Sequence, residues 1–187
     1  GVQIGYESGS TGSVTVSGVG SIWSNSTDLR IGGQGSGSLD IGAGGVVESR
    51  DSFVAHELNS TGAVTVSGAG SIWDVDELYV GGKGSGTLVI SDGGRVRSDG
   101  NSMRFYIGFG ADSAGSVTVS GVGSSLSNYG ELYVGKYGLG GGRGFDLSAG
   151  PAGLGDAGSQ IASAARSGLE ITGGGSVSNA EGNIGFG

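Results

Sequence analysis

The string Ser13-Val-Thr-Val-Ser-Gly-Val-Gly-Ser-Ile-Trp23 recurs as Ala63-Val-Thr-Val-Ser-Gly-Ala-Gly-Ser-Ile-Trp73. It recurs again, weakened, as Ser116-Val-Thr-Val-Ser-Gly-Val-Gly-Ser-Ser-Leu126. Val14, Val64 and Val117 are 50 and 53 residues apart. A period of this size limits the chain to a solenoid, a propeller or an array, in which each unit buries its apolar face only against its neighbours.

Each unit divides again. Ser38-Leu-Asp-Ile-Gly-Ala-Gly-Gly-Val-Val47 follows the same plan as the first string: strand, glycine-rich turn, short apolar pair. The first-strand pairs are Val14/Val16, Leu39/Ile41, Val64/Val66, Leu88/Ile90, Val117/Val119 and Leu169/Ile171, at steps of 25, 25, 24, 29 and 52. A second ladder runs through Ile4, Ile31, Val54, Val80, Ile107, Val134 and Ile184. Residues two apart on a strand share a face, so each pair points one way. A third apolar site holds Ile22-Trp23, Val46-Val47, Ile72-Trp73, Val96, Leu126 and Val177. Leu126 stands at the Trp position and Ser125 at the Ile position, which favours Trp inward.

Three short strands per 23–29 residues, joined by glycine-rich corners, predict an all-β fold. The expected architecture is a right-handed single-stranded parallel β-helix of about six triangular rungs, forming one domain over 1–187. At about 4.8 Å per rung the rod is roughly 30 Å long. A propeller fits less well, because three blades do not close a ring and the half-repeat has no place in one.

Composition sets further bounds. The 46 glycines fall between β-branched runs and read as turn residues, and no stretch has helical apolar spacing. A net charge of −8 argues against nucleic acid and anionic membrane surfaces. There is no cysteine, hence no disulfide framework or thiolate metal site, and no apolar run long enough to span a bilayer. The start at Gly1, without signal peptide or initiator Met, is expected of a fragment or processed product.

Three departures from the repeat are the candidate functional features. The last step of both ladders is doubled, placing an insertion at 141–167 with the only proline, Pro151. A short helix is expected at Gln160 to Arg166. Solenoid insertions often carry binding, and Arg143, Phe145, Asp146, Leu154, Asp156 and Arg166 are its candidate residues. The other reading is a passive surface loop. His56, the only histidine, is assigned the corner slot held elsewhere by Gly5, Gly32, Gly81, Gly108, Gly135 and Gly185, as an exposed side chain. Asp28, Asp51, Glu77, Arg104, Glu131 and Glu181 stand three residues before the second ladder and form a charge column, relieved in its middle by Arg104. A solvated edge is one reading. A hard-cation site near Asp74, Asp76 and Glu77 is the sharper one, although the acidic glycine-rich pattern of calcium-binding rolls is absent.

Catalytic patterns are missing. The acids lie in one column that serves several rungs alike, no Gly-x-Ser-x-Gly elbow occurs, and Gly18-Val-Gly20 opens no helix that would hold a phosphate. No cofactor is expected.

Val14-Thr-Val-Ser-Gly-x-Gly-Ser-x-Trp23, Leu78-Tyr-Val-Gly81 and Gly84-Ser-Gly-Thr-Leu-x-Ile-x-x-Gly-Gly-x-Val96 resemble the repeat of large bacterial autotransporter passenger domains. The resemblance is closest over Ser13 to Val96 and excludes the insertion. It implies a β-helical stalk at the bacterial surface or secreted. The implied partner is a host-cell or matrix receptor, or other copies of the chain. Membrane attachment would run only through a barrel outside this sequence. Ile184-Gly-Phe-Gly187 repeats the phase of Ile4-Gly-Tyr-Glu7. Open ends at Val2, Ile4, Ile184 and Phe186 therefore suggest a head-to-tail filament as the alternative role. A polysaccharide-cleaving enzyme is the third.

Overall fold

A computed structural model describes residues 1–98, 104–136, 168–179 and 181–184. The insertion at 141–167, with its candidate residues and expected helix, lies outside the described residues, as does Phe186. Among the described residues there are 19 strands and no helix. They wind a three-sided β-solenoid in which successive strands pass from one sheet to the next. Among the described residues every strand pairing is parallel, which rules out the propeller.

The first sheet has seven short strands: Val2–Ile4, Leu29–Ile31, Ser52–Val54, Leu78–Val80, Arg104–Ile107, Glu131–Val134 and Glu181–Ile184. The second has six longer ones: Thr11–Ser17, Ser36–Gly42, Thr61–Ser67, Ser85–Ser91, Ala114–Ser120 and Gly168–Thr172. The third has six: Ile22–Asn25, Val46–Ser49, Ile72–Val75, Arg95–Ser98, Ser125–Asn128 and Ser176–Ser178.

The expected ladders are the observed registers. Val14 pairs with Leu39, Leu39 with Val64, Val64 with Leu88, Leu88 with Val117 and Val117 with Leu169. Ile4 pairs with Ile31, and the column continues to Val134 and Ile184. The indoles point inward: Trp73 is fully buried, whereas Ile22 beside Trp23 is 65% exposed. Alternation of β-branched and polar residues thus turns one row per strand into a single core column. Each fully buried Val, Leu or Ile side chain is worth about 1.5–3 kcal/mol.

Trp73 is accommodated by a local departure from the ladder. Ser52 stands in register between Leu29 and Leu78, where a larger residue would compete for the same space. The Ser52 and Ser49 hydroxyls lie 2.8 Å apart, and Ser49 Oγ accepts the Trp73 indole N–H at 3.1 Å. The buried indole donor is therefore satisfied, as a buried polar group must be.

Glycine does two jobs here. After the second-ladder residues from Ile4 to Val134 the chain turns at positive φ, as at Gly32 (φ 74) and Gly81 (φ 74), a region that favours glycine. Gly62 points into the core where the second sheet starts; a Cβ there would stand 2.5 Å from the Ile31 carbonyl oxygen.

One expectation is corrected. The corner slot after Val54 is filled by Ala55 (φ 60), not by His56. The Ala55 N–H donates to the Ile31 carbonyl and the His56 N–H to the Gly32 carbonyl. His56 therefore belongs to the next column, with Tyr6, Gly33, Gly82, Phe109 and Lys136, as the successive bonds Gly33 to Gly5, Gly82 to Ala55, Phe109 to Gly81 and Lys136 to Gly108 show.

The two-turn period has a structural basis in this corner. The corners at 5–10, 55–60 and 108–113 are two residues longer than those at 32–35 and 81–84. In each long corner a serine hydroxyl closes the turn on the carbonyl three residues earlier: Ser10 on Glu7, Ser60 on Glu57, Ser113 on Gly110. The tight glycine corners fit between them.

Candidate functional site

The outer side of the first sheet is where the sequence does more than build a core. Residues one place before the second ladder point outward and stack in register: Gln3, Arg30, Phe53, Tyr79, Tyr106 and Tyr133. Phe53 stacks on Tyr79 with centroids 4.7 Å apart and planes 14° from parallel. Tyr79 stacks on Tyr106 at 4.6 Å and Tyr106 on Tyr133 at 5.1 Å. The centroid spacing is close to the strand spacing, so the rings lie like rungs across the axis. Cations close the ladder at both ends: Arg30 lies 5.6 Å from the Phe53 centroid, and Lys136 Nζ lies 4.3 Å from that of Tyr133. Tyr106, in the middle, is only 3% exposed although it lies on the outside of the sheet.

Beside the rings runs the expected charge column. Four of its members, Asp28, Glu77, Arg104 and Glu131, pair with the outward residue two places along. Asp28 meets Arg30 at 3.3 Å, and Glu77 accepts the Tyr79 hydroxyl at 2.9 Å. Hydrogen bonding ties Arg104 to Tyr106 and Glu131 to Tyr133, and Arg104 Nε meets Glu131 at 3.2 Å. Arg104 thus relieves the row as its position suggested. Burial first, then the hydrogen bond to Glu77, pushes the Tyr79 phenol well above its ordinary value. The hydrogen bond to Glu131 pushes Tyr133 up. At Asp51 the outward residue is Phe53, which has no hydroxyl to donate. Desolvation, together with the charges of Asp28 and Asp76, raises the Asp51 carboxyl.

Across the ladder from this edge stands the corner column. His56 is half-buried, correcting the expectation of an exposed side chain: its side chain is 25% exposed. Its ring meets Phe53 edge-to-face at 4.7 Å, and its Nδ1 lies 2.9 Å from Glu57 Oε1. Glu57 also takes Lys83 of the next turn at 3.0 Å. Burial lowers the His56 pKa, with Arg30 and Lys83 acting the same way and Glu57 opposing them.

The candidates for a cation site are separated by their own partners. Asp74, on the third sheet, is held by Arg97 at 2.7 Å. Glu77 takes the Tyr79 hydroxyl, and Asp76 stands at the intervening corner, its N–H donating to the Arg50 carbonyl. Among the described residues no group of three or more His, Cys, Asp or Glu side chains is placed to hold a metal. At the N-terminal end Val2 packs partly buried against the core and Ile4 is 5% exposed. Ile184 pairs with Val134 at the other end.

The aromatic ladder is the feature that sequence reasoning missed. Its signal was present in Leu78-Tyr-Val80, Tyr106-Ile107 and Leu132-Tyr-Val134, where a ring always precedes the inward residue. Comparison with protein-family models, with curated proteins and with solved structures found no match for this chain.

Proposed function

We propose that this chain is a structural and adhesive segment of a bacterial β-helical protein that is displayed on the cell surface or secreted. One observation carries the reading: every turn presents its outward residues in register with the last, so one lateral surface repeats along a stiff rod. A repeated surface suits many weak contacts made together, whose avidity exceeds that of any single contact. The partner is a host-cell or matrix receptor or another copy of the rod. The reading assigns the chain no catalysis. The resemblance of Val14 to Trp23 and its copies to autotransporter passenger repeats supports the same location. The test is display of the chain on a non-adherent bacterium. Faster settling of the cells, or retention on cultured epithelium or matrix-coated plates, is expected. Unchanged settling and unchanged retention overturn the adhesive role.

A second reading, end-to-end pairing between rods, has its own observation. The strands Val2–Ile4, Thr11–Ser17 and Ile22–Asn25 each pair on one side only. Val14, Val16 and Trp23 within them are partly buried, whereas Val64, Val66 and Trp73 are at most 1% exposed. Unpaired strand edges favour further pairing. Light scattering of the isolated chain over a concentration series tests it, and a monomer throughout sinks it.

A further inference from the structure

The corner column beside the aromatic ladder carries a ring on every second turn: Tyr6, His56 and Phe109, with Gly33 and Gly82 between. The long corners supply the rings and the tight corners supply the glycines. Successive rings are therefore two strand spacings apart, roughly 9–10 Å along the axis.

The orientation of two of these rings follows from their contacts. The ladder rings use their faces on one another, so only their edges reach sideways. Phe109 meets Tyr79 at 5.3 Å and 85°, and Tyr106 at 5.1 Å and 79°. His56 meets Phe53 at 87°. Centroids this close at right angles require edge-to-face contact, so Phe109 and His56 receive ladder edges on one face. Their planes contain the direction of the rod axis, and their opposite faces look away from the ladder. Both residues are partly exposed, and Tyr6 is 54% exposed.

A strip of rings on every second turn, two of them lying parallel to the rod and flanked by polar side chains, matches one class of ligand. Pyranose rings have apolar C–H faces that pack on aromatic faces, while their hydroxyls need donors and acceptors at the rim. In an extended β-1,4-linked polysaccharide the same face recurs at every second sugar, a repeat close to two strand spacings. Glu57 and Lys83 line one rim of the strip. Lys136 lies at its upper end, 5.9 Å from the Phe109 centroid. The chain's charge of −8, with Asp28, Asp51, Glu77 and Glu131 across the ladder, disfavours a polyanion.

We infer that the column Tyr6, His56 and Phe109 binds a neutral, extended β-1,4-linked polysaccharide lying along the rod, one sugar in two stacked on each ring. The inference rests on the adhesive reading above and names a partner for it.

Affinity electrophoresis of the whole chain tests it, in gels containing hydroxyethylcellulose, soluble starch or polygalacturonate. Retardation is expected in the β-1,4-glucan gel and not in the α-1,4-linked or anionic gels. Phe109→Ala is expected to weaken retardation about tenfold, the loss of one ring contact. Phe109 touches the ladder, so Tyr6→Ala is measured beside it. Tyr6 is 54% exposed and its loss leaves the core intact. That variant is expected to weaken retardation several-fold with an unchanged melting temperature. No retardation by the β-1,4-glucan, equal retardation by starch, or a Tyr6→Ala variant that migrates as the parent does would each overturn the proposal. A rod that adheres to cells but ignores the glucan overturns the strip alone; one that binds the glucan but no cell overturns the adhesive reading alone.

Discussion

Each outward side chain on the first sheet, from Arg30 to Tyr133, reaches the charged residue two places before it, save at Phe53. Asp51 sits there with its carboxyl raised by burial and by Asp28 and Asp76. A phenol at 53 would supply the missing donor, as Tyr79 does for Glu77. Phe53→Tyr is therefore expected to stabilise the chain by about 1 kcal/mol at pH 7. The sign with pH follows from linkage: a hydrogen bond to the carboxylate favours its ionised form, so the gain exists where Asp51 is ionised and fades as the carboxyl protonates. Urea unfolding of both proteins at neutral and acid pH checks this; an equal gain at both would mean that the new hydroxyl acts elsewhere. His56 also works against the fold as pH falls. Its pKa is lowered in the fold, chiefly by burial, with Arg30 and Lys83 adding to the effect and Glu57 opposing it. The unfolded chain therefore takes up a proton first as pH falls below the ordinary value of 6.5, and stability drops from there to the folded pKa. His56→Phe keeps a ring against Phe53 and removes that proton site. It is expected to flatten the melting temperature between pH 7 and about pH 5 relative to the parent. A parent curve that is already flat in this range refutes the assignment.

At the scale of one element, the aromatic ladder behaves as a strand-to-strand bond on the outside of the sheet. Each stacked pair contributes about 0.5–1.5 kcal/mol beyond area, and a cation over a ring contributes about 0.5–1 kcal/mol. Tyr106 makes two stacks, one edge contact and a contact with Lys136 4.8 Å from its centroid. Tyr106→Leu keeps an apolar side chain but loses all four, an expected cost of about 2–3 kcal/mol. Phe53→Leu loses one stack, the His56 edge and Arg30, and should cost about three-quarters as much. Chemical denaturation of the two variants gives the ranking, and equal losses would mean that area alone sets the contribution. Why the ladder escaped the sequence reading is itself physical. Inward residues announce themselves by alternation, because burial forces every other residue to be apolar. Outward residues obey no such rule, and a tyrosine facing out reads as solvated until register shows another ring about 4.8 Å above it. The core columns and the inward Trp were legible from Val14 to Val177 for that reason. Ala55 shows the converse: the ladder fixed Val54, but a buried alanine at positive φ broke the glycine rule and shifted the histidine by one column.

Across the whole molecule the unit of stability is two turns, because neighbouring turns are built to differ. Long corners alternate with tight ones, and Trp23 and Trp73 are separated by Val47 with the Ser49–Ser52 pair beneath the second indole. The corners between the second and third sheets alternate too. Gly18 and Gly20 take positive φ in one turn, Ala43 and Gly44 in the next. A solenoid of identical turns would lose one nearest-neighbour interface for each turn removed, whichever turn it was. This chain should not. Thr11, Ser36, Thr61 and Ser85 stand in register, so excising 36–84 joins Gly35 to Ser85 and removes two turns in phase. Val96 then stacks on Trp23 as Val47 did, and the corner of Asp92 and Gly93 replaces that of Ala43 and Gly44. Excising 36–60 removes one turn and joins Gly35 to Thr61. Trp73 then lands directly on Trp23, and the tight corners at 32–35 and 81–84 meet without a long corner between them. The shorter deletion is thus expected to be the more damaging. The two-turn variant should unfold cooperatively in urea, with an m-value reduced in proportion to the surface lost. The one-turn variant should lose several kcal/mol more or unfold without cooperativity, since overpacking alone costs about 1–3 kcal/mol per site. If both variants unfold with the same midpoint, the alternation is decorative and each turn is an independent unit.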